Sequence, residues 1–163
     1  MTPARVMVSA CLLGRPTRYD GSAKTLEDAL LDRWIREGRV VSVCPEVMAG
    51  LPTPRPPAEI ADGRGGAAVI RRDGRVIEAD GDDVTEAYLA GARIVLEQAV
   101  RHDCRYALLT DGSPSCGGSF IHDGTFGGRR IAGEGVTAAL LRQHGIAVFS
   151  QAEISSLAAA LDG

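Results

Sequence analysis

The chain has no Cys-x-x-Cys pair, no run of lysine and arginine, and no apolar stretch approaching the ~20 residues that span a bilayer. The first absence leaves a zinc ribbon or a thioredoxin-like redox site without support. The second, with 18 basic against 21 acidic residues and a formal charge of −3, leaves no positive excess to neutralise a phosphate backbone, so no nucleic-acid partner is expected. The third argues against a membrane partner. The opening Met-Thr-Pro-Ala-Arg-Val also lacks a signal peptide's apolar core, and the chain reads as cytoplasmic. Internal repeats and low-complexity tails are missing as well. What remains is a chain of 163 residues, 45% hydrophobic, which fits one domain over residues 1–163. At this length a fold buries roughly 70% of its unfolded surface, so closing a core does not require disulfides. The four cysteines therefore need another explanation, and in a reducing compartment that means metal ligands, nucleophiles or buried thiols.

Hydrophobic periodicity supplies the organisation. Arg5 to Ala10 is a short β-prone run ending against Cys11. Thr25 is placed to cap a helix carrying Leu26, Leu30, Leu31, Trp34 and Ile35, with Gly38 as its stop. Val40 to Cys44 is a second strand. Pro45 to Ile60, which holds Pro52, Pro54, Pro56 and Pro57, is predicted to be a stiff extended loop. Asp73-Gly74 lies between Ala67–Ile70 and Arg75–Ala79 and signals a small β-hairpin insertion. A long helix starts at Asp82 or Asp83 and ends near Asp103, and Arg105 to Thr110 forms the third strand. The Gly-rich stretch Asp111 to Gly135 has no clear period, which points to function or to disorder. Val136 to His144 is helical with Gly145 as its stop, Ile146 to Phe149 is a strand, and Ser150 with Glu153 makes a capping box for a last helix. Strands alternating with helices imply an α/β fold, a mainly parallel sheet with helices on both faces.

In such sheets ligands bind beyond the carboxyl ends of the strands. Cys11 closes the first strand, Cys44 closes the second, and Cys116 lies in the loop leaving the third. Cys104 precedes the third strand and belongs to the opposite edge, where a small buried thiol is expected. Three thiolates from separate strands can hold a zinc with one open position, or an iron–sulfur cluster with one iron free of protein ligands, and the spacing chooses neither. Glu46, two positions after Cys44, is a carboxylate placed to carry protons. Ser113-Pro114-Ser115-Cys116-Gly117-Gly118 combines hydroxyls with a flexible backbone. The prolines around Arg55 make a preformed wall, and Arg18-Tyr19-Asp20-Gly21 reads as a substrate contact or an Asp-Gly turn. His122, the one histidine of the long loop, reads as a ligand or donor, or more simply as a surface polar residue, and the second reading is preferred.

The segments Ser9-Ala10-Cys11-Leu12-Leu13-Gly14, Arg18-Tyr19-Asp20-Gly21, Val43-Cys44-Pro45-Glu46-Val47, Gly50 through Glu59, Ser113-Pro114-Ser115-Cys116-Gly117, Asp123-Gly124-Thr125-Phe126 and Gly133 through Ala138 together resemble the 2-thiouracil desulfurase family, long catalogued as a domain of unknown function. The resemblance runs through about nine tenths of the chain. It implies a Rossmann-like domain, a [4Fe-4S] cluster on Cys11, Cys44 and Cys116, and non-redox removal of sulfur from a small-molecule thiolated base. It implies Glu46 and Ser113 as catalytic residues, and Ser115, Arg55, Tyr19 and Asp20 complete the expected substrate contacts. Two positions depart from many relatives. Thr17 stands where they carry a further cysteine, and Thr110-Asp111-Gly112 stands where they carry a lysine. Two alternatives accompany this reading: a three-cysteine zinc hydrolase, and a non-catalytic iron–sulfur or sulfide- and redox-sensing module.

Overall fold

The computed structural model describes residues 3–162. The first two residues of the N-terminal segment read above, and residue 163 of the one-domain reading, lie outside the described residues. In chain order the elements are β1 (Val6–Ser9), α1 (Ala29–Arg36), β2 (Val40–Val43), α2 (Pro45–Met48), β3 (Ala58–Ile60), α3 (Gly66–Ile70) and β4 (Val76–Glu78). They continue with α4 (Thr85–Arg101), β5 (Tyr106–Leu108), β6 (Phe120–His122), β7 (Arg130–Ala132), α5 (Val136–Gln143), β8 (Ala147–Phe149) and α6 (Ile154–Asp162).

The sheet is parallel throughout, in the order β2-β1-β5-β8, with Val6 paired to Val40 on one side and to Tyr106 on the other. Strand β1 is buried at every position, as an apolar run covered on both faces must be. One face packs Met7, Val43 and Ala107 against Val95 and Ala99 of α4 and Ala138 and Leu141 of α5. The other packs Val6, Val8 and Leu108 against Leu31 and Trp34 of α1 and Ile154 and Leu157 of α6. The chain order turns back between β1 and β5, so the carboxyl ends of these strands open a crevice at a topological switch point. The fold is therefore the doubly covered α/β sheet read from the sequence.

Four local expectations are corrected. Asp28, not Thr25, caps α1, its Oδ1 accepting the Leu30 amide at 2.8 Å. Pro45 does not sit in an extended loop. It occupies the first turn of α2, where its missing N–H costs nothing. Ala67–Ile70 lies in α3, a helix, and not in a hairpin strand. The Arg-Arg-Asp-Gly segment ends that helix: Arg72 takes φ +68°, its amide donates to Val69 O at 3.0 Å, and the Asp73 amide donates to Ala68 O at 2.8 Å, a Schellman closure. The strand β4 pairs instead with β3, from the end of the proline-rich stretch, Ala58 opposite Glu78. Finally, the segment from Asp111 to Gly135 contains an antiparallel pair, β6 with β7, and is not structureless.

Two glycines set the depth of the crevice. A Cβ on Gly91 of α4 would stand 2.4 Å from Pro45 O, so only glycine lets α2 and the Cys44-Pro45-Glu46 turn sit directly on α4. A Cβ on Gly135 would stand 2.4 Å from Ser115 O. The absence of that atom brings the start of α5 onto the Ser-Pro-Ser-Cys turn, where the amides of Val136 and Thr137 donate to Pro114 O at 2.8 Å and Ser115 O at 2.9 Å. The free amides of the helix start thus fix the loop that carries Cys116.

Candidate functional site at the strand ends

The carboxyl ends of β1, β2 and β5 surround a cavity of about 350 Å³, within the range of small-ligand sites. Cys11, on a 3-10 turn directly after β1, Cys44, at the start of α2, and Cys116 all line it. Cys11 and Cys116 are buried and Cys44 is partly so. Burial pushes all three thiols above their ordinary range. For Cys44 and Cys116 the nearby Glu46 carboxylate is the next contribution in the same direction. At Cys11 the Thr110 hydroxyl opposes the rise, and at Cys116 the Ser9 hydroxyl does so. Cys104 is buried elsewhere, between α4 and β5, and does not line the cavity.

The donor set bears on what these thiols could hold. Tetrahedral zinc at 2.3 Å from each sulfur needs thiols about 3.8 Å apart. Among the described residues, the His, Cys, Asp and Glu group whose ligand atoms all lie within 4.8 Å is Glu78, Asp80 and Asp82. The three thiols do not form such a group, so at least one of their sulfur–sulfur separations exceeds 4.8 Å, wider than a single tetrahedral zinc requires. All four cysteines are free, so no disulfide competes for these ligands.

Glu46 and Ser113 line the same cavity. Glu46 Oε2 is ion-paired with Arg55 Nη2 at 3.3 Å, while its Oε1 is buried without a hydrogen-bond partner. Arg55 also donates to Thr17 O at 3.0 Å, Thr53 Oγ1 at 3.1 Å and Pro52 O at 3.3 Å, and its amide donates to Tyr19 O at 2.7 Å. The proline-rich loop is thus tied to the Arg18–Gly21 turn through one guanidinium, and Arg55 holds Glu46 where the sequence suggested a direct substrate contact. The Ser113 oxygen accepts the amides of Ser115 at 3.0 Å and Cys116 at 3.1 Å, which shapes the turn and leaves its O–H free to donate. Asp111 closes the base of the loop. Burial raises its carboxyl, but the Ser119 hydroxyl and the amides of Phe120, Ser119 and Gly112 outweigh this and hold it below the usual carboxylate range.

Tyr19 is on the cavity wall, but two expected contacts are elsewhere. Ser115 is fully buried, with its hydroxyl bonded to Thr137 Oγ1 at 2.9 Å, so it anchors the loop to α5 and does not meet a ligand. Asp20 is exposed and closes its own turn, accepting from the Ser22 amide and hydroxyl at 3.0 and 2.5 Å. Ser9, Tyr88, Phe120 and Arg130 also line the cavity, and the sequence reading gave none of them a role in the site. Tyr88 was legible only as one member of an apolar helix face, and burial raises its phenol far above the ordinary range. His122 is a cavity residue and not a surface one, and its Nδ1 is buried without a partner.

The family model described as 2-thiouracil desulfurase matches residues 6–153. The chain belongs to the 2-thiouracil desulfurase family. A second similarity is to the uncharacterized protein YbbK of Bacillus subtilis (strain 168), 41% identical over 152 residues, covering 93% of this chain and 99% of that protein. Among solved structures, the [4Fe-4S]-dependent thiouracil desulfidase TudS is 47% identical, with a TM-score of 0.88 over 98% of both chains. The α/β architecture of this desulfurase-family chain is thus shared with a desulfidase along nearly its whole length. Among the described residues no helix is long and apolar enough to cross a membrane.

Proposed function

We propose that this chain is a [4Fe-4S]-dependent desulfurase that converts 2-thiouracil and water to uracil and sulfide. One observation carries the reading: three thiols at and beyond the carboxyl ends of adjacent parallel strands, and a carboxylate with one unpaired oxygen, belong to residues that line the same cavity. Cys11, Cys44 and Cys116 are assigned as the cluster ligands. A cluster held on three thiolates supplies an iron without a protein ligand, a Lewis acid and sulfur acceptor. The chain's own residues supply the proton chemistry. Water adds to the thiocarbonyl carbon as the carbon–sulfur bond breaks, and Glu46 Oε1 takes the proton of that water and returns it to the departing sulfur or a ring nitrogen. Arg55 keeps Oε2 occupied, so only one carboxylate oxygen is left without a partner to accept a proton. The free O–H of Ser113 donates to the charge that develops at the reacting carbon's substituent. Carbon–oxygen replaces carbon–sulfur with no net electron exchange. The substrate is a small thiolated base and not a nucleic-acid strand, consistent with the net negative charge, and four free cysteines fit a single domain working in the cytoplasm.

The test is anaerobic reconstitution with iron and sulfide, followed by assays of uracil release from 2- and 4-thiouracil. The expected result is about four iron and four sulfide per chain together with uracil formation. Zinc near one equivalent without iron would support the hydrolase alternative. A loaded cluster without uracil release would support a sensor.

A further inference from the structure

We propose that His122 is a positioning residue that selects a uracil-type over a cytosine-type ring by donating from Nε2 to the ring carbonyl that is retained in the product. This rests on the desulfurase reading and adds the groups that read the base.

His122 ends β6, whose pairing with β7 places it opposite Arg130, and it lines the cavity together with Glu46. The turn after it is held rigidly. Glu59 Oε1 accepts the amides of Gly124 at 2.9 Å and Phe126 at 3.2 Å, and a Cβ on Gly124 would stand 2.5 Å from Ile60 O. The imidazole is therefore carried by an element locked to β3 and not by a mobile loop. Its Nδ1 is buried and has no partner among the described residues. An N–H at that position would be an orphaned buried donor, which folded proteins rarely tolerate, whereas a bare acceptor lone pair there is less costly. The ring proton accordingly sits on Nε2, the nitrogen not enclosed in this way, and His122 presents a donor to the cavity.

A donor at this position matches a ring carbonyl. Uracil and its thio derivatives have such a carbonyl at ring position 4. In cytosine an amino group stands there, so donor would meet donor. A site built around polar groups rejects the mismatched ring because those groups are left unpaired.

The experiment uses the cluster-loaded enzyme and two rings that cannot be desulfurised. Uracil and cytosine binding is measured by calorimetry for the wild type, His122→Phe and His122→Gln, with iron content recorded for each. The wild type is expected to bind uracil at least about tenfold more tightly than cytosine. His122→Phe is expected to lose about tenfold for uracil, leave cytosine unchanged, and raise KM for 2-thiouracil with kcat nearly constant, as a contact made equally in ground and transition states requires. In His122→Gln the side-chain amide offers either a donor or an acceptor, so uracil binding is retained while discrimination is lost. An unchanged preference in His122→Phe, no preference in the wild type, or no binding of either base overturns the proposal. Failure to release uracil from 2-thiouracil with the binding pattern intact would instead count against the desulfurase reading alone.

Discussion

Arg55 and Glu46 form an ion pair of 3.3 Å inside the cavity, with side chains 3% and 13% exposed, and the two oxygens of the carboxylate are thereby made unequal. One is neutralised by the guanidinium and the other is buried without a partner. Removing Arg55 leaves a largely buried carboxylate uncompensated and frees the carbonyls of Thr17 and Pro52. Arg55→Ala is expected to destabilise the chain by about 3 kcal/mol, measured by urea unfolding. Arg55→Lys should recover only part of this, since an ammonium cannot reach all four acceptors in the same plane.

Glu46→Gln keeps the shape of the side chain and removes its proton-accepting capacity. The expected outcome is full iron loading with turnover reduced by about a hundredfold or more. Ser113→Ala should also reduce turnover by about a hundredfold, but here stability falls too, because the Ser115 and Cys116 amides lose their acceptor. Turnover paired with thermal melts separates the two variants, and an active Glu46→Gln would remove this residue from the chemistry.

Serine in place of Cys11, Cys44 or Cys116 is expected to abolish or sharply reduce iron and sulfide incorporation. Cys104→Ser should load normally, because that thiol lies outside the cavity. Iron and sulfide assays on the four variants decide this, and iron loss in Cys104→Ser would contradict the ligand assignment.

Burial also gives the cluster-free chain an alkaline weakness. Desolvation pushes the Cys104 thiol up from 9.0 to about 11, with Arg5 opposing and Asp103 adding to the shift. The unfolded chain releases this proton above pH 9.0 while the folded chain retains it, so the contribution is intact below pH 9 and is lost as the pH rises to about 11. Thermal melts across that interval should show the wild type losing more stability than Cys104→Ala.

The parallel sheet and the convergence of three cysteines were legible because both follow from short-range signals: apolar runs of strand length and the position of each thiol at the end of one or in the loop that leaves it. The Schellman stops at Gly38 and Gly145 were legible for the same reason, since glycine with positive φ closes both helices. The Asp73-Gly74 signal misled because its meaning depends on what precedes it. Helix α3 forms where Gly66 meets Gly135, a contact between segments far apart in sequence, and the dipeptide then becomes part of a helix stop. The division of labour between Ser113 and Ser115 was hidden for a similar reason. Adjacent hydroxyls of the same type are told apart only by Thr137, which draws one of them into the core. His122 was read as a surface residue in preference to a donor because nothing local marks a strand in a glycine-rich segment.

The three thiols proposed as ligands lie beyond the ends of neighbouring strands, and this has a mechanical outcome. A cofactor gripped by all of them rivets β2, β1 and β5 together at one end, and a chain whose strands met in the wrong register could not close that grip. Occupancy would then act as a seal on correct assembly, tightening the folded state by mass action in proportion to how firmly the rivet is held.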